Sequence, residues 1–237
     1  MNHENSPIIL ALDTDDLEIA GKWIRATLGS VDVFKVGLEF FLNFGESGIS
    51  WLREQGDFQL FLDLKLHDIP NTVAGAVRAI SALHPKFLTV HASGGGAMIS
   101  AAAAADPAID ITAVTVLTSL SEESLSEMGI KLSPQDFASS LAAHAVRAGA
   151  RAIVCSPHEV GAIRSLVPAD VSLITPGVRP VDSEKGDQAR VMTPTQAITA
   201  GSDYLVIGRP ITSLFDGSDD SLVFMSDKAK SILDSIN

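Results

Sequence analysis

The sequence predicts an α/β fold, a single (β/α)8 barrel, and three observations predict it. Short β-branched or apolar runs recur along the chain, each followed by a longer stretch with helical spacing. Eight such pairs are present, with candidate strands at 8–13, 33–37, 59–65, 87–91, 111–117, 152–156, 172–175 and 204–208. The length of 237 residues, 46% of them hydrophobic, suffices for one sizeable core but is short for two ordinary domains. Candidate helices fall in the intervals, at 17–28, 39–55, 69–83, 95–105, 134–148, 159–166, 193–200 and 223–236. Gly and Pro are spread along the chain, and neither a Ser/Gly linker nor a charge block marks a boundary, so residues 1–237 are read as one barrel domain. Eight units in one domain favour a closed TIM barrel over an open doubly wound sheet.

Composition excludes several classes of partner. A formal charge of -12 disfavours nucleic acid and anionic membrane surfaces, which reward clustered Lys and Arg. An anionic small substrate stays admissible, because a few cations in one cleft reverse the local potential. The sole cysteine, Cys155, has no intrachain disulfide partner, and the first residues lack the basic start and apolar run of a signal peptide. No apolar stretch reaches the roughly 20 residues that cross a bilayer. The expected setting is the cytoplasm.

In a barrel of this type the active site lies at the C-terminal ends of the strands. Several predicted strands end in residues that an apolar core would not choose: Asp13 after ILAL, Lys35 within VFKVG, Asp63 and Lys65 within LFLDLKL, and His91 after FLTV. In the third strand, two-residue alternation places Leu60, Leu62, Leu64 and Leu66 on one face and Phe61, Asp63 and Lys65 on the other. With the leucines under the helices, Asp63 and Lys65 point together into the barrel mouth. A buried charge requires a partner, and Asp13 and Lys35 from neighbouring strands extend the pair into an alternating network. A purely structural ion-pair cluster would use the same residues; location at the strand ends favours function.

The run Asp63-Leu64-Lys65-Leu66-His67-Asp68-Ile69-Pro70-Asn71-Thr72 resembles the signature of the orotidine 5′-phosphate decarboxylase family. Further matching segments follow in order over nearly the whole chain: LALD ending at Asp13, FKVG around Lys35, VTVLTS around Thr118, TPGVRP around Arg179, GDQAR around Gln188 and VIGRPI around Arg209. The resemblance implies a cofactor-free and metal-free decarboxylation of orotidine 5′-phosphate to UMP. It also implies roles. Lys65 would donate the proton to C6, Asp63 would lie near the departing carboxylate, Lys35 would hold Asp63 and contact the ribose, and Asp13 would bind the ribose hydroxyls. Asp68 and Thr72 would reach into the site of a second subunit, making a homodimer with composite sites. Thr118 and Gln188 would serve the pyrimidine and a closing loop, while Arg179, Arg209 and the N–H of Gly208 would grip the phosphate.

The residue types suit that chemistry. Loss of CO2 from C6 leaves charge that the ring does not readily delocalise, and one ammonium both stabilises it electrostatically and delivers a proton. The segment 176–192 is long for a strand-to-helix connection and polar, as a lid would be, and phosphate sites after the seventh and eighth strands of such barrels are common.

Other features are assigned ordinary structural roles. His67 is read as a packing residue, and His91 is left open between a core hydrogen bond and a place in the site wall. Gly94-Gly95-Gly96 lacks the ending of a P-loop and is read as a connection. Cys155 has no triad-like neighbours and is read as a buried thiol, the His and Asp residues show no zinc spacing, and the alanines at 101–105 form a close-packed helix face. Two rival functions remain. One is a magnesium-dependent sugar-phosphate decarboxylase or aldolase on the same barrel, in which an acidic residue would stand where this chain has Lys35. The other is a non-catalytic nucleotide-binding barrel.

Overall fold

The computed structural model describes residues 6–180 and 192–236. Eight parallel strands close into a barrel in sequence order: β1 (Ile8–Ala11), β2 (Val33–Gly37), β3 (Gln59–Leu66), β4 (Phe87–His91), β5 (Asp110–Val114), β6 (Ala152–Val154), β7 (Ser172–Pro176) and β8 (Tyr204–Ile207). The ladder Ile8↔Leu205 to Leu10↔Ile207 joins β1 to β8 and completes the ring. The helices are α1 (Leu17–Thr27), α2 (Leu38–Arg53), α3 (Pro70–Ile80), α4 (Gly96–Ala105), α5 (Glu122–Glu127), α6 (Pro134–Arg147), α7 (Val160–Arg164), α8 (Pro194–Thr199), α9 (Arg209–Thr212) and α10 (Asp219–Ile236). No described helix is long and apolar enough to cross a membrane.

Strand alternation divides the apolar residues into two cores. Outward residues such as Leu10, Phe34, Leu60, Leu62 and Leu88 pack beneath the helices in one continuous cluster. Inward residues Ile9, Val33, Phe61, Phe87, Ala152 and Ile174 form a second cluster inside the ring, joined by Val154, Tyr204 and Val206. Phe87 meets Phe61 and Tyr204 edge-on, with ring centroids 5.6 and 5.4 Å apart. This inner plug makes the barrel a filled core rather than a pore, and the next inward residues along the strands form the floor of the mouth.

The helices depart from the sequence-based expectation where they are short or begin on polar residues. The α5 sequence EESLSE follows Ser121, whose hydroxyl accepts from the Ser124 N–H, while α9 is a single turn opening on Arg209-Pro210; neither is long enough to show periodicity. The last helix starts at Asp219 rather than Val223, because two aspartates occupy its first turn, where carboxylates complement the helix dipole. Between β4 and α4, Gly95 takes φ 87, a left-handed turn favourable only to glycine, while a Cβ on Gly94 would lie 2.3 Å from the Met98 sulfur. The triple glycine is thus a close-packed connection.

Candidate active site

Alternation on β2 and β3 carries Lys35 and Asp63 inward, two residues beyond Val33 and Phe61 of the plug. Both side chains are mostly buried, and they meet across the ladder: Lys35 Nζ lies 3.4 Å from Asp63 Oδ2. The same ammonium lies 3.3 Å from Asp13 Oδ1, on the chain just past β1, where the Asp13 side chain is 66% exposed at the rim. Lys65 Nζ approaches the other oxygen of Asp63, Oδ1, at 2.7 Å. One buried carboxylate therefore serves two ammonium groups, and the order Asp13, Lys35, Asp63, Lys65 alternates in charge.

Burial works against ionisation of Asp63, but the positive charges of Lys35 and Lys65, with hydrogen bonds from Lys65 and Thr89, outweigh it and hold the carboxyl below its ordinary pKa. Gly37 lies beside this pairing: a Cβ there would stand in ordinary contact with it, 3.4 Å from Lys35 Nζ. Above the plug, a cavity of about 210 Å³ has the charged groups on one side and Val114, Val116, Val154, Pro176 and Val206 on the other. The space thus sets a charged wall, which includes Lys65, against an apolar one.

The alternation expected along β3 continues through Asp63 and breaks at Lys65. Lys65 has φ 49, a left-handed conformation for a residue with a side chain. The ladder with β4 shifts register here: Leu62 pairs with Leu88 and Leu66 with Val90, so residues 63–65 stand opposite Thr89 alone. Holding a non-glycine residue in this region costs on the order of 1–3 kcal/mol, which the surrounding contacts offset. Leu64 and Leu66 still pack on the helix side, although only partly buried. The juxtaposition of Asp63 and Lys65 thus arises from a bulge, not from simple alternation.

Among the other residues singled out in the sequence, Thr118 lines the cavity. Arg179 follows β7 and Arg209 follows β8, adjacent strands in register at Pro176↔Val206. The Arg179 N–H donates to Met192 O at 3.0 Å, bringing the described ends of the 176–192 segment together. Gln188 lies outside the described residues. Gly208 precedes α9, and a Cβ on it would stand 3.9 Å from Asp13 Oδ2. Asp68 and Thr72 are exposed around the start of α3; Asp68 accepts the Ile69 N–H at 2.6 Å and, among the described residues, forms no ion pair with its own chain's Lys65.

His91 is half-buried beside His67, with ring centroids 5.5 Å apart. Burial, reinforced by the neighbouring His67 and Lys65, pushes its pKa down despite Asp63, so neutral imidazole is favoured. Cys155 is buried at the cavity edge, and burial next to Glu159 pushes its thiol far up, away from thiolate chemistry. Sequence reasoning missed Thr89. Its signal was present: β4 alternates Phe87, Thr89, His91 on the inward face, and a buried hydroxyl there needs partners.

Comparison with known proteins agrees with this architecture. The model of the Orotidine 5′-phosphate decarboxylase / HUMPS family matches residues 6–216. The chain is 53% identical over 207 residues to an orotidine 5′-phosphate decarboxylase of Thermobifida fusca, covering 87% of this chain and 89% of that protein. It is 44% identical over 234 residues to one from Pseudoalteromonas translucida, covering 97% and 98%. The crystal structure of orotidine 5′-phosphate decarboxylase from Lactobacillus acidophilus aligns with a TM-score of 0.82 at 35% identity, covering 98% of this chain and 100% of that one.

The depressed pKa of Asp63 gives a pH dependence of stability. Ionised Asp63 stabilises the fold fully above its unfolded value near 4, and this contribution is lost as pH falls through the lower folded value. In urea unfolding between pH 7 and 2.5, the stability difference between wild type and Asp63→Asn is expected to be flat down to about pH 5 and to shrink below that. A difference that stays constant or widens on acidification would contradict the pairing.

Proposed function

The chain belongs to the orotidine 5′-phosphate decarboxylase / HUMPS family, and we infer that it is a carboxy-lyase converting orotidine 5′-phosphate to UMP and CO2 in pyrimidine nucleotide synthesis. The observation that carries this reading is the Lys65 ammonium, 2.7 Å from a largely buried carboxylate at the edge of a partly apolar cavity. Departure of CO2 leaves an electron pair on C6. The pyrimidine ring does not delocalise that charge, so stabilisation has to come from a fixed positive group nearby. Lys65 is that group and then donates its proton to C6, with the electron pair of the broken C–C bond forming the new C–H bond.

Asp63 keeps Lys65 charged and aimed, and stands where the substrate carboxylate leaves. Lys35 holds Asp63 from the opposite side and contacts the ribose, whose hydroxyls are bound by Asp13 at the rim. Thr118 binds the pyrimidine, and Gln188 acts with the closing loop. Arg179 and Arg209, on adjacent strand ends, take the phosphate together with the Gly208 N–H, using the bidentate geometry that guanidinium offers. Phosphate binding, remote from the bond that breaks, supplies energy to close the loop and hold the catalytic geometry.

The working form is a homodimer in the cytoplasm, with Asp68 and Thr72 entering the partner's site. Their exposure supports this, as does that of intervening Ile69, an apolar residue that is 67% exposed and would gain by being covered. The chemistry is independent of a metal: an ammonium at Lys35, 3.4 Å from Asp63, opposes a divalent cation at that carboxylate.

The test is the loss of orotidine 5′-phosphate absorbance in buffer containing EDTA. Wild type is expected to turn over at an undiminished rate, and Lys65→Ala to lose at least roughly a thousandfold in kcat. Absence of turnover by wild type would overturn the activity; wild-type turnover in Lys65→Ala would overturn the role of the lysine. Mixing Lys65→Ala with Asp68→Ala subunits is expected to restore up to about a quarter of the wild-type rate by forming one intact site in each hybrid dimer. No recovery on confirmed subunit exchange would contradict the composite site.

A further inference from the structure

Thr89 is fully buried on β4, and its hydroxyl both accepts and donates a hydrogen bond inside the charge array. Oγ1 accepts the backbone N–H of Lys65 at 2.8 Å and donates to Asp63 Oδ1 at 3.1 Å, the same oxygen that Lys65 Nζ approaches at 2.7 Å. A closed circuit results, from the Lys65 main chain through Thr89 to Asp63 and back to the Lys65 ammonium. It lies where residues 63–65 of β3 face Thr89 alone across the ladder, and where Lys65 is held at φ 49.

At the bulge the Lys65 N–H donates to a side chain, the Thr89 hydroxyl, and leaving that donor unmet in this partly buried place would be costly. The Thr89 hydroxyl meets that need while its proton orients the carboxylate. We propose that Thr89 is a positioning residue for the decarboxylation: it fixes the left-handed backbone of Lys65 and the orientation of Asp63 together, so that the ammonium is aimed before substrate arrives. This inference rests on the catalytic role given to Lys65 above. Thr89 acts through Lys65 and Asp63, without touching the substrate, so its loss lowers kcat more than it changes binding. Misplacement of a reacting group by about 1 Å is enough to cost about 100-fold.

Thr89→Val keeps the shape and removes the hydroxyl; Thr89→Ser keeps the hydroxyl and removes the methyl group. With both variants folded by thermal unfolding, Thr89→Val is expected to lower kcat roughly 10- to 100-fold with KM within about threefold of wild type. Thr89→Ser is expected to stay within about threefold in both. Wild-type kcat in Thr89→Val, or equal impairment of the two variants, would overturn the proposal. Crystal structures of wild type and Thr89→Val give a readout independent of turnover. In the variant, Lys65 is expected to leave the left-handed region or its ammonium to move off Asp63. An unchanged Lys65 backbone and an unchanged Lys65 to Asp63 contact would overturn the proposal even if wild type proved inactive, an outcome that would separately overturn the functional reading.

Discussion

The structure of the barrel mouth depends on one carboxylate, Asp63, placed between two ammonium groups. Each of its oxygens has a different lysine: Oδ2 faces Lys35 and Oδ1 faces Lys65. None of these charges would be stable alone at this depth, because the cost of desolvating an unpaired ion amounts to several kcal/mol. The constraint reaches back into the fold. Lys35 and Asp63 must leave neighbouring strands on the same inward face, which the β2–β3 ladder enforces through Lys35↔Phe61 and Gly37↔Asp63. The plug of Phe61, Phe87 and Tyr204 beneath them keeps the floor apolar, so the charges act on one another and on a bound molecule with little screening.

The second constraint is local backbone conformation. A regular β3 would continue its hydrogen bonds into β4 and carry Lys65 as one more alternating residue. Instead three residues stand against one, and the unusual φ of Lys65 is stabilised by a side chain from the next strand. Strain at a group that must be aimed is tolerable because a closed barrel is stiff: every strand is paired on both sides, and the helices leave little room for β3 to relax. Beyond this rigid floor, Asp13 is exposed at the end of β1, Thr118 lines the cavity, and Arg179 and Arg209 follow β7 and β8.

Much of this was readable in the sequence, for physical reasons. Apolar and β-branched runs with helical intervals revealed the eight strands, two-residue alternation placed Asp63 inward because it precedes the irregularity, and Lys35 stood out as a charge within an apolar strand that a buried carboxylate could pair with. Alternation was not a sufficient guide to Lys65: a bulge leaves no mark in residue type when the bulged residue is not glycine. Thr89 was overlooked because threonine within FLTVH suits an ordinary buried strand, and only the geometry reveals that its hydroxyl closes a circuit. The one-turn α9 and the six-residue α5 are too short for a 3.6-residue period to emerge. Asp68 and Thr72 are exposed, and the place proposed for them in a second subunit's site came from the family resemblance, since spacing within one chain gives no access to it.

If Asp63 is the hub of the array, its effect on stability must be expressed through the lysines. A double-mutant cycle of Asp63→Asn and Lys65→Met, measured by urea unfolding at pH 7, tests this most directly. The expected coupling is about 1 kcal/mol or more, with the second substitution costing less once the first is made. Effects that add to within about 0.3 kcal/mol would mean that carboxylate and ammonium do not support one another, and would contradict the account.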